Sequence, residues 1–186
     1  MAITMNNHVI LLNGASSTGK TTLARAIQRK LLNDHGLHSL VLSVDDVLRS
    51  LSIPYDSVLA CLAKTKLPII EIFHATVAAS AKAGAWTIVD HVIGEDPVWV
   101  NDLLSRLDNT PLLTINLTCS LADLQNREEH RTDRPSNWEH AKRQARDIYT
   151  ALPAHLVLDN SIDSTAVCLQ KIFSRLFSAN SNAYVK

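Results

Sequence analysis

Five apolar runs of strand length, separated by stretches with helical spacing, predict an α/β fold: a five-stranded parallel sheet covered by helices on both faces. Two further observations agree. A glycine-containing loop, Gly14 to Thr21, sits directly between the first apolar run and the first helical stretch. The later runs end at Asp45-Asp46, Asp90-His91, Cys119-Ser120 and Asp159-Asn160, polar positions where ligands gather in open parallel sheets.

The elements follow in order. Residues 8–13 form a buried strand, and 21–32 have apolar positions at helical spacing, stopped by Asn33-Asp34-His35-Gly36 with glycine at the C-cap. Residues 39–44 make the second strand and 47–51 a short helix; 56–66 read as helix with the least clear pattern in the chain. A helix over 67–83 is closed by Gly84, and 86–90 is the third strand, ending in an acid. Asp96-Pro97 opens a helix to about residue 107, the acid as N-cap and the proline in the first turn. Residues 112–117 give the fourth strand. Ser120, with Asp123 three residues on, caps a helix that carries Arg127, Glu128, Glu129, His130, Arg131, Asp133 and Arg134 up to Pro135. Helix 138–150, strand 155–158 and helix 164–177 complete the pattern, and 178–186 read as a frayed tail.

The 186 residues suit one domain, 1–186, with a lid at about 127–137 and an acceptor-binding segment at about 52–83. Lys plus Arg total 18 and Asp plus Glu total 18, so no electrostatic footprint points to nucleic acid or an acidic membrane. No apolar stretch reaches spanning length, and no basic, apolar leader is evident at the N-terminus. Cys61, Cys119 and Cys168 are far apart and lie among apolar neighbours, which suits reduced core thiols and a cytoplasmic setting.

Gly14-Ala15-Ser16-Ser17-Thr18-Gly19-Lys20-Thr21 matches G-x-x-x-x-G-K-[ST], a phosphate-binding loop, in the strand–loop–helix context the motif requires. Gly14 and Gly19 allow positive φ and close backbone approach, so the amides from Ala15 to Thr22 form a nest for phosphate oxygens at the helix's positive end. Lys20 is expected to reach the β- and γ-phosphates and Thr21 to complete the shell of Mg²⁺. The expected cofactors are therefore ATP and Mg²⁺, and the fold a three-layer P-loop kinase fold with a small arginine-bearing lid.

Asp45, directly after the second strand, faces the crevice and is the candidate base for an attacking hydroxyl; on the plainer reading Asp45 or Asp46 is a helix N-cap. Asp90 fits the strand-end acid that holds Mg²⁺ through water, with a substrate contact as the alternative. His91 is either a substrate contact or a hydrogen-bonded neighbour. Arg127, Arg131 and Arg134, at helical offsets of four and three, are expected to share one face and clamp phosphates; the alternative is a solvated face paired with Glu128, Glu129 and Asp133. Asp159, after the fifth strand, is placed near the adenine. Tyr55, Leu59, Phe73, His74, Val92, Ile93 and Trp99 are candidates for the acceptor pocket, with core packing as the alternative for each.

Four stretches together resemble the chloramphenicol phosphotransferase-like proteins, small P-loop kinases related in fold to shikimate and nucleoside monophosphate kinases. They are Ile10 to Lys20 with its Asn-Gly-Ala-Ser-Ser opening, Val44-Asp45, Ala83 to Val92, and the Arg127, Arg131, Arg134 cluster followed by a helix with Gln144 and a strand ending at Asp159. The resemblance implies transfer of a phosphoryl group to a small-molecule hydroxyl, with Asp45 activating the acceptor and Lys20 and the arginines clamping phosphate. This chain departs from the family in carrying His91 where a second acid is usual and in a shorter segment between strands two and three.

Two rival functions stay open: a metabolic kinase of a nucleoside, nucleotide or shikimate-like acid, and a nucleotide-binding regulatory module without kinase activity. The stretch 53–85 holds Lys64, Lys66 and Lys82 but no arginine, which favours a neutral acceptor. No Asn-Lys-x-Asp stretch marks a GTP-specific switch. Composition and motifs leave the oligomeric state open.

Overall fold

A computed structural model describes residues 8–52, 68–132 and 136–177. The helix expected over 56–66, the pocket candidates Tyr55 and Leu59, Lys64 and Lys66, Cys61, Asp133, Arg134, Pro135 and the 178–186 tail lie outside the described residues.

The chain runs β1 (Val9–Asn13), α1 (Lys20–His35), β2 (Ser39–Ser43), α2 (Val44–Arg49), α3 (Ile69–Lys82) and β3 (Trp86–His91). After a 3₁₀ turn, Ile93–Glu95, come α4 (Pro97–Arg106), β4 (Leu112–Thr118), α5 (Leu121–Glu129), α6 (Trp138–Asp147), β5 (Leu156–Asp159) and α7 (Thr165–Leu176). The strands form one sheet in the order β2-β3-β1-β4-β5, every pairing parallel. This is the predicted α/β architecture.

β1 shows why both faces are covered. Successive side chains of a strand point to opposite faces. Ile10 and Leu12 pack with Leu23, Ile27 and Leu31 of α1 and Ile172 of α7, while Val9 and Leu11 pack with Phe73 and Val77 of α3 and Val100 and Leu103 of α4. A central strand buried on both sides needs a continuous apolar run, and Val-Ile-Leu-Leu supplies it.

Several ends form as their sequences dictate. Gly36 closes α1 at φ +64, its N–H bonded to Leu32 O while Leu37 N–H reaches Leu31 O, the paired bonds of a left-handed C-cap. Asp96 caps α4 by accepting from Val98 N–H, and Ser120 caps α5 by accepting from Asp123 N–H.

Three of the boundary differences from expectation bear on the site. α2 begins at Val44, directly on the end of β2, so Asp45 and Asp46 lie inside its first turn and Ser43 holds the N-cap position instead. β3 extends through His91, because His91 pairs with Asn13 of β1. α5 stops at Glu129: His130 N–H bonds Asn126 O, Arg131 N–H bonds Glu128 O in a tightened last turn, and the chain leaves the helix. Arg131 is therefore past the helix, and the shared helical face expected for Arg127 and Arg131 does not exist.

Candidate active site

The parallel register brings the carboxyl ends of the strands to one edge, with Asn13 beside His91 and Asn116, Ser43 beside Asp90, and Thr118 beside Asp159. The 14–21 loop crosses this edge. Gly19 takes φ +96, as expected for a glycine of such a loop, whereas Gly14 is not left-handed and the positive φ falls on Ser17, at +62. Gly14 is needed for space: a Cβ there would lie 2.6 Å from Leu117 O and 2.8 Å from Thr18 Oγ1.

Lys20 is almost fully buried, its ammonium donating to Ala15 O at 2.9 Å and lying 4.0 Å from Asp90 Oδ1. The Thr21 hydroxyl donates to Asp90 Oδ2 at 2.6 Å. The expected metal pair, Thr21 and Asp90, is thus brought together, and the lysine is within reach of both. α1 begins at Lys20, so the first-turn N–H groups have no acceptor four residues back and stand at the positive end of the helix.

Side chains from the C-terminal half hold the loop from outside. The Tyr149 hydroxyl accepts from Ala15 N–H at 3.4 Å and donates to Leu117 O at 2.9 Å; burial pushes its ionisation up, which keeps the donating proton in place. Gln144 Oε1 accepts from Ser16 N–H at 2.9 Å. Glu128, fully buried, accepts from Ser17 Oγ at 2.5 Å and from Asn137 N–H at 2.9 Å. Asn160 Nδ2 donates to Thr18 O at 2.7 Å.

The arginines reach the same loop from two positions. Arg127 donates to Thr18 O at 3.3 Å and Asn160 O at 3.0 Å. Arg131 donates to Ser16 Oγ at 3.0 Å and Ser17 Oγ at 3.4 Å, with the Glu128 carboxylate 3.9 Å away. Arg134 lies outside the described residues.

Other candidates are placed as follows. Asp45, partly exposed on α2, lies 3.9 Å from Arg49, two residues beyond the Ser43–Asp90 pair. Thr22 is exposed on α1. The Asp159 carboxylate accepts from Ser161 N–H within its own turn, and it is the neighbouring Asn160 that touches the loop. Phe73, His74 and Ile93 are fully buried, so the packing alternative holds for them; Val92 and Trp99 are partly buried against apolar clusters.

His91 is buried as a hydrogen-bonded neighbour. Its Nδ1 accepts from Val92 N–H at 2.9 Å, which leaves the ring proton on Nε2, directed at His74 Nε2 at 3.1 Å. His74 in turn directs Nδ1 at Asp102 Oδ2 at 2.7 Å, and Arg106 grips the same carboxylate at 2.9 Å. Burial drives His91 well below the ordinary histidine range, aided by His74 and Lys20; burial also lowers His74, against the pull of Asp102. Both rings are neutral parts of a tautomer-locked chain joining β3, α3 and α4.

Sequence reasoning missed Glu128, Gln144, Tyr149 and Asn13 as site-forming groups. Asn13, a buried amide bonded to Asn116 Oδ1 and Ile148 O, was legible as the polar end of an apolar strand. Glu128 had no signal, because one of three acids in a run of seven ionisable residues reads as solvated surface. Among the described residues, no group of three or more His, Cys, Asp or Glu side chains could by itself hold a metal ion, and no helix is long and apolar enough to cross a membrane.

A family profile described as chloramphenicol phosphotransferase-like protein matches residues 7–177. No curated protein sequence matches the chain. Among solved structures, the Mycobacterium tuberculosis APS kinase CysC in complex with AMPPNP and APS is similar at a TM-score of 0.66 and 13% identity, over 94% of this chain and 99% of that one. A gluconokinase from Sinorhizobium meliloti 1021 is similar at 0.65 and 15%, over 97% of each chain. The Deinococcus radiodurans tunicamycin resistance protein is similar at 0.59 and 15%, over 92% of this chain and 96% of that one. At these identities the likeness shows the fold.

Proposed function

The chain belongs to the chloramphenicol phosphotransferase-like proteins, and on that premise we propose that it transfers the γ-phosphate of Mg·ATP to a hydroxyl of a small neutral molecule. The observation that carries this reading is the junction of Thr21, Asp90 and Lys20 beneath the phosphate loop, with the hydroxyl and carboxylate 2.6 Å apart. The donor set fits the metal. Mg²⁺ keeps several waters and takes one or two protein oxygens plus phosphate oxygens, and a threonine hydroxyl beside a strand-end carboxylate supplies that kind of partial shell. Thr21 and Asp90 would hold the ion, which when bound would supply positive charge against that of the phosphates.

The chain's own groups do the rest. Loop amides and the helix N-terminus hold phosphate oxygens. Lys20 leaves Ala15 O for the phosphates, exchanging one acceptor for a charged one. Asp45 orients the acceptor hydroxyl and takes its proton as the oxygen attacks phosphorus. Arg127 and Arg131, already on the loop, together with Arg134, offset charge on the transferring group, and Asp159 belongs to the turn at the adenine end. The neutral acceptor is favoured by the absence of arginine from 53–85.

The test is ADP release from Mg·ATP with a panel of neutral hydroxylated compounds, chloramphenicol among them, and with nucleosides and shikimate alongside. Stimulation by one compound, abolished in Lys20→Ala, is the expected result. Asp45→Asn is expected to lower turnover about 10²–10⁴-fold with Mg·ATP affinity nearly unchanged. Near-normal turnover in that variant overturns the role of Asp45. Tight ATP binding with no stimulation by any compound favours the regulatory module.

A further inference from the structure

Gln144 is a neutral side chain on a helix otherwise rich in charge, yet it is buried, with 4% of its surface exposed. Its amide has one orientation. Ser16 N–H requires an acceptor, so Oε1 faces it at 2.9 Å, and Nε2 is left to donate toward Glu95 Oε2 at 3.2 Å, with His140 Nε2 2.8 Å away. Glu95 is delivered there by packing. The preceding Gly94 lies so close to the end of α6 that a Cβ would fall 1.8 Å from Ile148 O, one helical turn beyond Gln144. Arg143 holds the other Glu95 oxygen at 3.3 Å.

We propose that Gln144 is a positioning residue for the phosphate loop. By accepting the Ser16 N–H it turns that amide out of the nest, so the amides that follow Ser16 are the ones presented to phosphate. Through Glu95 it ties this loop shape to the turn after β3, on the side of the sheet edge where Asp90 stands. The proposal rests on the loop being the ATP site. Its energetic basis is the cost of an orphaned loop donor: without Gln144, the Ser16 N–H either loses its partner or turns inward and competes with phosphate-binding amides.

Two readouts test it on the full chain: hydrogen exchange of the Ser16 amide without nucleotide, and the affinity for Mg·ATP. Gln144→Met keeps the volume and removes the acceptor. Glu95→Gln with Gln144→Glu keeps an acceptor oxygen toward Ser16 and removes the like-charge clash with Glu95. Gln144→Met is expected to speed Ser16 exchange and weaken Mg·ATP, each by about tenfold, while the double variant stays within about threefold of wild type in both. A role in packing alone predicts the reverse order, since methionine fills the site and a buried carboxylate does not. Wild-type behaviour of Gln144→Met, or a double variant as impaired as Gln144→Met, overturns the proposal. Melting curves verify folding; if Gln144→Met does not fold, Gln144→Ala is read in the same two ways with the same expectation. Failure of the wild type to bind Mg·ATP would overturn the functional reading through the titration, whereas Ser16 exchange in the free protein tests the lock by itself.

Discussion

Gly94→Ala separates the cost of crowding from the cost of backbone strain. Gly94 is buried in the 3₁₀ turn and is not left-handed, so alanine there is permitted by its own backbone. Space forbids it. The added Cβ would lie 1.8 Å from Ile148 O and 2.7 Å from its carbonyl carbon, when ordinary contact begins near 3.4 Å. The end of α6 or the turn after β3 must retreat by about 1.6 Å, and neither is a flexible side-chain tip. Both hold Asn13: Ile148 O accepts from its Nδ2 at 3.2 Å, and Gly94 N–H donates to its Oδ1 at 3.4 Å. Overpacking costs about 1–3 kcal/mol and each buried hydrogen bond left unmade about 1–3, so a loss of about 3–5 kcal/mol is expected. Gly36→Ala is the contrast. Its Cβ meets nothing within 4 Å, and only φ +64 opposes it, for about 1–2 kcal/mol. Urea unfolding followed by far-UV circular dichroism, with midpoints compared at unchanged slope, reads both. The reasoning fails if Gly94→Ala is less destabilised than Gly36→Ala.

Other consequences follow from the same edge of the sheet. Asp90→Asn keeps an acceptor for the Thr21 hydroxyl but removes the charge beside Lys20, so Mg²⁺ should strengthen ATP binding about 10–100-fold less than in wild type. Titrating ATP with Mg²⁺ and in excess EDTA measures this, and an unchanged ratio would remove Asp90 from the metal site. Acid should destabilise the fold through His74, which burial holds below its ordinary value against Asp102 and Glu71, with Arg106 acting in the same direction as burial. The unfolded chain then binds the extra proton as pH falls through about 6.5, so stability drops on acidification, by at most about 1.4 kcal/mol per pH unit for this ring. Unfolding free energies at pH 7.5 and 5.5 for wild type and His74→Gln check it; the variant should show the shallower fall, and an equal fall would show that His74 does not titrate on unfolding.

The fold was legible because each of its signals is local. A parallel strand covered on both faces must be apolar throughout, and Val9 to Leu12, Ile88-Val89 and Leu112-Leu113 are. Glycine, serine and aspartate at helix ends act within four residues, and Gly36, Asp96 and Ser120 cap as their sequences require. The position of Asp90 beside Lys20 and Thr21 was legible for the same reason, as an acid at the last residue but one of a buried strand. Boundaries failed where distant contacts decided them. α5 ends early because its last turn tightens while Glu128 turns inward to Ser17 and Asn137, contacts 111 and 9 residues away in the chain. A periodicity argument sees arginines spaced four apart and assigns them one face; it does not see that the carboxylate between them is needed inside.

The site's second layer was hidden for a related reason. Tyr149, Gln144, Glu128 and Asn160 act on Ala15, Ser16, Ser17 and Thr18, one on each successive residue, although they come from α5, α6 and the ends of α6 and β5. No spacing within the chain encodes that correspondence; the β1–β4–β5 register and the packing of α6 on the turn after β3 create it. The physical consequence is specific. A loop of small residues, with Ser17 already at φ +62, would otherwise lose conformational freedom each time phosphate arrived. Here that ordering is made during folding, by side chains from α5 and from the body and ends of α6 and β5, so on the proposed reading the nucleotide's binding energy would be left for the motions that remain: Lys20 leaving Ala15 O, and Arg131 leaving Ser16 and Ser17. On that reading each cation would exchange a carbonyl or hydroxyl acceptor for a phosphate oxygen while a carboxylate, Asp90 4.0 Å from Lys20 and Glu128 3.9 Å from Arg131, keeps it near the loop; selectivity for the acceptor would then have to come from elsewhere in the chain.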